Sequence, residues 1–180
     1  FFYVHRYVGS GKGHHLYVFL YLACLSAIFV VIGKAAAIFF CYDLPVFQIR
    51  NADKKIPVRF FIRHGVPEEN ARISAEILVN ADLRGVDSHG VIRLDSYYGS
   101  RLRAGLIDPS TPLTILRETP TTLALDAGAG LGQVAGYHAM EQAIAKAKEV
   151  GLAMVTVRNS NHYGIAGYYA MMALQHDMIG

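Results

Sequence analysis

Residues 51–180 of the chain predict a mixed α/β fold. Apolar side chains recur at helical spacing in two long segments, 66–85 and 133–150. Two shorter segments, 122–126 and 152–157, are mainly apolar and include β-branched residues, which is typical of buried strands. Because helical and strand patterns follow one another along the chain, we expect helices packed against a sheet.

The first helix is predicted between Val66 and Gly85. A proline and two glutamates fill its first turn, where a fixed φ angle and negative charge favour a helix start. A second helix is predicted from Val91 to Ala104 and is ended by a glycine. A short apolar-rich segment, 57–64, precedes both, and a loop with two prolines follows them.

The second half of the folded part combines strands and helices. β-like segments are predicted at 113–116 and 122–126, and a helix from Gln133 to Val150 follows them. The apolar run 152–157 is predicted to be a buried strand. A last helix is predicted to begin near Ile165.

The sequence Gly-Ala-Gly-Leu-Gly at 128–132 lies between a predicted strand and a predicted helix, the position of a dinucleotide-binding turn. Its spacing differs from the dinucleotide fingerprint, because Gln133 stands where the third glycine is required. The next strand is followed by Arg158 and not by an acidic residue that could bind a ribose. We therefore expect a flexible turn where helix and strand approach closely, and not a Rossmann fold.

Residues 1–50 differ from the rest of the chain. They hold both cysteines and most of the aromatic residues, and the segment 16–42 contains an apolar run just long enough to span a bilayer as a helix. A membrane anchor, a signal peptide and sequence upstream of the natural start are three interpretations; the signal peptide fits less well, because no small-x-small cleavage pattern is evident. We favour upstream sequence, with the anchor second. The predicted domains are a hydrophobic extension, 1–50, and a folded part, 51–180.

The distribution of charge excludes one class of function. The formal net charge of +3 comes entirely from residues 1–50, while residues 51–180 carry equal numbers of acidic and basic side chains. A body without a basic stripe is a poor candidate for nucleic-acid binding, which depends on phosphate neutralisation. The absence of cysteine from residues 51–180 favours a reducing compartment, so we expect a cytoplasmic location for this part. Metal-ligand spacing such as H-E-x-x-H is absent, and we expect no metal site.

Asp-Ser-His-Gly at 87–90 contains the residue types of a hydrolase triad, but neighbours in sequence cannot converge as a triad does. Ser88 alone would suit the cap of the helix that follows. His89 and Arg93 are four residues apart, a spacing that places both side chains on one face of a helix. A site in which arginine binds a carboxylate and histidine polarises a neighbouring oxygen would use this pair. The spacing alone leaves structural and functional roles equally open.

His162 lies in a polar loop after the predicted strand 152–157. The carboxyl end of a strand is where α/β proteins place their ligands. The ordinary pKa of histidine, about 6.5, suits proton exchange near neutral pH. Many loop histidines have no chemical role, so these residues by themselves favour the structural interpretation.

Three segments together resemble one enzyme family: Ala-Asp-Leu-Arg-Gly-Val-Asp-Ser-His-Gly at 81–90 followed by Val-Ile-Arg, Gly-Gln-Val at 132–134, and Asn-His-Tyr-Gly at 161–164. In order and spacing they are similar to the malate/L-lactate dehydrogenase family of the second type. This NAD(P)-dependent group also includes ureidoglycolate, sulfolactate and diketogulonate dehydrogenases. The resemblance covers about 57–180. It implies a mixed α/β fold that is not Rossmann, a homodimer with its active site near the subunit interface, and NAD or NADP as cofactor.

The resemblance also implies roles for four residues. In some family members the residue matching His162 is regarded as the proton acceptor, and in others the residue matching His89 is called the proton donor. We keep both as candidate catalytic residues and rank His162 first. Arg93 matches a position near the substrate carboxylate, and Ser88 lies beside it. No residue is assigned to cofactor binding.

The function implied by the resemblance is hydride transfer between NAD(P) and the C2 carbon of a small 2-hydroxy acid of the malate or lactate type. One alternative is reduction of a cyclic imino acid or a diketo sugar acid on the same fold. Another is a truncated, non-catalytic or membrane-anchored chain that only pairs with a partner. Family members continue past residue 180, so we expect an amino-terminal part of the fold that does not catalyse the reaction by itself.

Overall fold

The computed structural model describes residues 2–6 and 54–180 of the chain. The apolar segment 16–42, with Cys24 and Cys41, lies outside the described residues, and so does the predicted boundary between residues 50 and 51. Within the described residues, no helix is both long enough and apolar enough to cross a bilayer.

The first part of the fold is helical. Helix α1, Lys55–Arg63, precedes the long helix α2, Glu68–Leu83. A 3-10 turn, Asp87–His89, a π-helix, Leu94–Gly99, and the short helix α3, Ser100–Arg103, follow them. The sequence predicts neither helix nor strand for the apolar segment 57–64, which lies almost wholly in α1. The helix predicted over 91–104 begins three residues late, and its first part has the wider π-helical turn.

A five-stranded sheet forms the second part, with β1 at Phe2–Arg6, β2 at Thr114–Glu118, β3 at Thr122–Gly130, β4 at Leu152–Ser160 and β5 at Met178–Ile179. The strand order is β2-β3-β4-β1-β5, and only β3 and β4 pair in parallel. Helix α4, Gly132–Val150, connects these two strands, as a parallel pair requires a crossover. Helix α5, Ala166–Leu174, follows β4. The predicted mixed α/β fold is confirmed, and one parallel pair in a mostly antiparallel sheet is not a Rossmann arrangement.

Two apolar clusters hold the described residues together. One lies between α4 and the sheet, where alternate residues of β3 and β4, such as Leu123, Leu125 and Val155, are buried. The other lies among α1, α2 and the π-helix, with Phe61 and Tyr98 fully buried at its centre. The second cluster fixes the π-helix beside the loop that follows β4, and this places the candidate site.

Candidate active site

Asp82, near the end of α2, holds the loop that carries Ser88 and His89. The backbone N–H of Val91 donates to Asp82 Oδ2 at 2.9 Å. Gly90 lies so close to the same carboxylate that a methyl group in its place would overlap it. The spacing of aspartate and glycine in this segment therefore has a structural reason, because only glycine lets the loop pass the carboxylate that holds it.

Arg93 contacts this loop through a hydrogen bond that was not predicted from the sequence. His89 ends the 3-10 turn and Gly90 is extended (φ −89°, ψ −152°), so no helix runs from His89 to Arg93. The expectation that the two share a helix face is wrong, because the attachment of the loop to α2 interrupts the helix. Arg93 Nε instead donates to the carbonyl oxygen of Ser88 at 2.7 Å, and Ser88 Oγ lies 2.9 Å from His89 Nδ1. Ser88 thus connects the two residues and does not cap a helix.

His162 lies in the loop that follows β4, and this loop is fastened to the end of β3. Asn161 Nδ2 donates to the carbonyl oxygens of Ala129 at 2.7 Å and of Gly130 at 3.2 Å. A methyl group at Gly132, the first residue of α4, would overlap the carbonyl oxygens of Asn161 and His162. The close approach expected at the glycine-rich turn is confirmed, and it sets the position of the histidine backbone.

Asp126 joins the same ends of β3 and β4. Its carboxylate accepts hydrogen bonds from the backbone N–H of Gly128 at 2.9 Å, from Arg158 Nε at 2.8 Å and from Asn159 Nδ2 at 3.1 Å. These donors, led by the Gly128 N–H, hold the pKa of Asp126 below its ordinary value. Arg158, expected to be unable to bind a ribose, lies within β4 and joins this strand to β3 through Asp126.

The structure brings all four predicted site residues into one place. The rings of His89 and His162 stack with their centroids 5.3 Å apart, and Arg93 holds the backbone of Ser88 beside them. Burial of the imidazole, together with the nearby charges of His89 and Arg93, lowers the pKa of His162. These effects favour the neutral form of the His162 imidazole.

Tyr98 belongs to this site and was missed from the sequence. Its hydroxyl lies 2.8 Å from His162 Nδ1, and its fully buried ring packs edge-on against Phe61 at 5.9 Å. Tyr97, its neighbour, contacts the His162 ring at a centroid distance of 5.3 Å but makes no hydrogen bond to it. Burial raises the pKa of Tyr98 well above the ordinary value of tyrosine, so the hydroxyl keeps its proton.

Gln133, in the first turn of α4, is a second residue without a predicted role. It is fully buried, and neither its amide oxygen nor its amide nitrogen has a hydrogen-bond partner among the described residues. Its Cγ lies 3.9 Å from the position that a Cβ would take at Gly164, two residues after His162. Buried amides are nearly always paired, so the unpaired amide of Gln133 is unusual, and it lies close to the loop that carries His162.

A cavity of about 400 Å³ adjoins this loop on the side of α4 and α5. Ser160, Asn161 and Tyr163 line it from the loop, and Gly136 and Tyr169 line it from the two helices. The Tyr169 hydroxyl donates to the carbonyl oxygen of Tyr163. Neither His162 nor His89 is among the residues that line it.

A model of the malate/L-lactate dehydrogenase family matches residues 51–180. The chain belongs to this family. It is 48% identical over 128 residues to the L-sulfolactate dehydrogenase of Methanocaldococcus jannaschii, an alignment that covers 71% of this chain and 37% of that protein. It is 51% identical over 123 residues to the malate dehydrogenase of Pyrococcus horikoshii, covering 68% of this chain and 34% of that protein.

Solved structures of malate/L-lactate dehydrogenases share the fold. The malate dehydrogenase from Pyrococcus horikoshii matches with a TM-score of 0.69 and 47% identity, over 71% of this chain and 36% of that chain. The malate dehydrogenase from Entamoeba histolytica matches with a TM-score of 0.68 and 44% identity, over 70% and 35% of the two chains. This chain spans about a third of the length of the curated relatives that it matches.

The start of α4 and the glycine-rich turn before it do not form an open dinucleotide-binding turn in the described part of the chain. In the described part of the chain, the start of α4 is closed by the carbonyl oxygens of Asn161 and His162, which lie where a pyrophosphate would have to approach. The glycine-rich turn before it packs against Thr111 and Pro112. None of the described residues is assigned to cofactor binding.

Proposed function

We propose that the protein carrying this chain is an oxidoreductase that transfers a hydride between NAD or NADP and the C2 carbon of a small 2-hydroxy acid. Membership of the malate/L-lactate dehydrogenase family and similarity to malate and L-sulfolactate dehydrogenases support the reaction class. The observation that carries the proposal is the stacked pair His89 and His162 beside Arg93, contributed by separate elements. We also propose a homodimer, as the family resemblance implies.

Arg93 is assigned to the substrate carboxylate. Its Nε is used in the bond to the Ser88 carbonyl oxygen, and its two Nη atoms have no hydrogen-bond partner among the described residues. A guanidinium whose orientation is fixed through Nε presents the remaining N–H groups as a planar fork that matches a carboxylate. The exposed Ser88 hydroxyl lies at the edge of the same position.

His162 and His89 are assigned to the C2 oxygen. Oxidation of the hydroxyl removes a hydride from C2 and a proton from the oxygen, and reduction returns both. One imidazole exchanges this proton while the other donates a hydrogen bond that stabilises charge on the oxygen. The sequence ranks His162 first and His89 second for the exchange.

A kinetic experiment on the complete gene product tests this proposal. Oxidation of NADH and NADPH would be followed with oxaloacetate, pyruvate and other 2-oxo acids, and with His162→Ala and His89→Ala variants. We expect turnover with at least one 2-oxo acid and a loss of roughly a hundredfold or more in kcat for at least one variant. A folded protein that turns over no 2-oxo acid with either cofactor would remove the proposed substrate class.

Cyclic imino acids form a second substrate class to test. The structure of a delta1-piperideine-2-carboxylate reductase from Pseudomonas syringae matches with a TM-score of 0.62 and 27% identity. A C=N bond beside a carboxylate offers the same two groups to Arg93 and to the histidine pair as a 2-oxo acid does. Turnover of such an imine without turnover of 2-oxo acids would assign the reductase activity in place of the dehydrogenase activity.

A further inference from the structure

His162 Nδ1 is approached by two hydrogen-bond donors. The backbone N–H of Gly164 donates to it at 3.1 Å, and the Tyr98 hydroxyl lies 2.8 Å from it. A backbone N–H has no lone pair and can only donate, so Nδ1 must offer its own lone pair. In the neutral ring the proton is therefore on Nε2.

The Tyr98 hydroxyl is the second donor to this nitrogen. A hydroxyl can donate or accept, but an unprotonated Nδ1 leaves it only the donor's part. Tyr98 is fully buried and its phenol keeps its proton, so the hydroxyl holds this arrangement and does not pass its proton on. His162 Nε2, on the other side of the ring, has no hydrogen-bond partner among the described residues.

We propose that Tyr98 is a positioning residue that, together with the Gly164 N–H, holds neutral His162 with its proton on Nε2 and turned to the substrate. The catalytic effect of this arrangement rests on the proposed function. The Nε2–H group then donates a hydrogen bond to the C2 oxygen and stabilises the negative charge that develops there as hydride reaches C2. His162 keeps its proton in this step, and the proton that the C2 oxygen gains comes from the imidazolium form of His89, which is left neutral. This assignment reverses the order in which the sequence ranks the two histidines for the proton exchange.

The π-helix explains why Tyr98, and not Tyr97, fills this role. In an α-helix the residue four positions after Arg93 would share its face, and that residue is Tyr97. The π-helix Leu94–Gly99 adds one residue to the turn and brings the fifth residue, Tyr98, to the histidine. Such turns are frequent at functional sites. Packing of the Tyr98 ring against Phe61 then fixes where the hydroxyl points.

The backbone N–H of Gly164 is fixed as firmly as the Tyr98 hydroxyl. Gly164 has φ +82°, a conformation that favours glycine, and a Cβ there would lie 2.7 Å from Ile77 Cγ2. Its N–H is thus held between α2 and the histidine. With two donors on Nδ1, His162 cannot exchange its tautomer without losing a hydrogen bond.

The first test is a ¹⁵N NMR measurement on the complete gene product with ¹⁵N-labelled histidine. The His162 signals would be assigned by their absence from a His162→Gln variant. We expect an unprotonated Nδ1 and a protonated Nε2 at neutral pH, and a downfield shift of the Nδ1 signal in Tyr98→Phe, which removes one donor. Tyr97→Phe is the matched control, because it deletes a hydroxyl from a ring that contacts His162 without removing a hydrogen bond to Nδ1. In this variant the ¹⁵N signals of His162 should not shift. A protonated Nδ1 in the wild type, or an Nδ1 signal that Tyr98→Phe leaves unmoved, overturns the proposal.

The second test separates a hydrogen-bond donor from a proton exchanger. Glutamine can donate through its amide but cannot exchange a proton as imidazole does. We expect His162→Gln to keep a kcat at least roughly tenfold above that of His162→Ala. Tyr98→Phe should lower kcat by roughly two- to twelvefold, the factor that one neutral hydrogen bond represents, with KM nearly unchanged. Equal loss in the glutamine and alanine variants contradicts the donor role.

The two tests also separate this inference from the proposed function. The NMR signals need no turnover, so they report the tautomer even if the enzyme acts on none of the chosen acids. An Nε2–H tautomer without turnover of any 2-oxo acid would refute the proposed function and leave the tautomer assignment standing. Turnover with a protonated Nδ1 would do the reverse.

Discussion

The imidazole rings of His89 and His162 stack at a centroid distance of 5.3 Å, with 30° between their planes. The two residues come from separate parts of the fold, His89 from the loop after α2 and His162 from the loop after β4. If both stacked imidazoles and the guanidinium beside them were positively charged, the three like charges would repel one another. The site therefore favours a neutral His162, and this has a measurable effect on stability.

Stability should fall in mild acid because of His162. Burial, His89 and Arg93 lower its pKa below the ordinary 6.5, so the unfolded chain binds more protons than the folded one below that pH. The resulting contribution to stability is present above about pH 6.5 and is lost as the pH falls through the folded pKa. The other rings against His162 are those of Tyr97 and Tyr98, which carry no positive charge. Thermal unfolding between about pH 7 and about pH 5 should show a smaller loss in His162→Gln than in the wild type; identical slopes would contradict this account.

Arg93→Lys should weaken the binding of the acid substrate. A lysine has a single ammonium group, so it can replace the charge of Arg93 but not the fixed planar fork. We expect KM for the preferred 2-oxo acid to rise roughly ten- to a hundredfold, as loss of a charge-assisted hydrogen bond implies. Arg103→Lys is the matched control, because that arginine forms an ion pair with Asp95 at 2.7 Å and has no contact with His89 or His162 among the described residues. The KM of this variant should stay near the wild-type value. A KM that is insensitive to Arg93→Lys would assign the carboxylate to another group.

The strongly periodic elements could be predicted from the sequence. Helices α2 and α4 and strands β3 and β4 were expected close to their observed bounds, because each buries one face or one run of apolar side chains. The structure extends β3 and β4 past the predicted ends, since their last residues are polar or glycine and pair through the backbone. Strands β1 and β5 were missed, because a two-residue strand such as β5 has no periodicity to detect.

The candidate site was predictable only in part. The family resemblance pointed to His162, His89, Arg93 and Ser88, and the structure brings them together. Spacing alone gave the wrong relation between His89 and Arg93, because it takes no account of the bond from a loop to the carboxylate of α2. Tyr98 could not be told from Tyr97, since only the π-helical turn decides which of two adjacent tyrosines reaches the histidine.

Removing the carboxylate of Asp82 should loosen the loop that carries Ser88 and His89. In Asp82→Ala the N–H of Val91 loses its acceptor, and we expect a loss of about 1–2 kcal/mol in the free energy of unfolding. Asp82→Asn retains an amide oxygen in the same place and should keep most of this stability. Hydrogen exchange of the Val91 amide measures the effect directly: we expect faster exchange in the alanine variant and near-native exchange in the asparagine variant. Equal exchange rates in all three proteins would show that the carboxylate does not hold the loop.

Gly164→Ala should destabilise the fold and disturb His162 together. The alanine would have to adopt φ +82°, and its Cβ would lie 2.7 Å from Ile77 Cγ2, so α2 or the loop must shift. We expect a loss of about 1–3 kcal/mol in the free energy of unfolding. The shift also moves the backbone N–H that donates to His162 Nδ1, so kcat should fall in the molecules that remain folded.

Gly167→Ala is the matched control for this change. Gly167 lies in the first turn of α5, has no positive φ, and a Cβ there would have no heavy atom within 4 Å. Alanine is the better helix former by about 0.5–1 kcal/mol, so this variant should be as stable as the wild type or slightly more stable, with unchanged kcat. The two glycines are three residues apart. Chemical unfolding of both variants under the same conditions shows how the backbone conformation and the contact at each position change the effect of the same glycine-to-alanine substitution. If both variants lost the same stability, the destabilisation would come from the added methyl group itself and not from the conformation that brings Gly164 to the histidine.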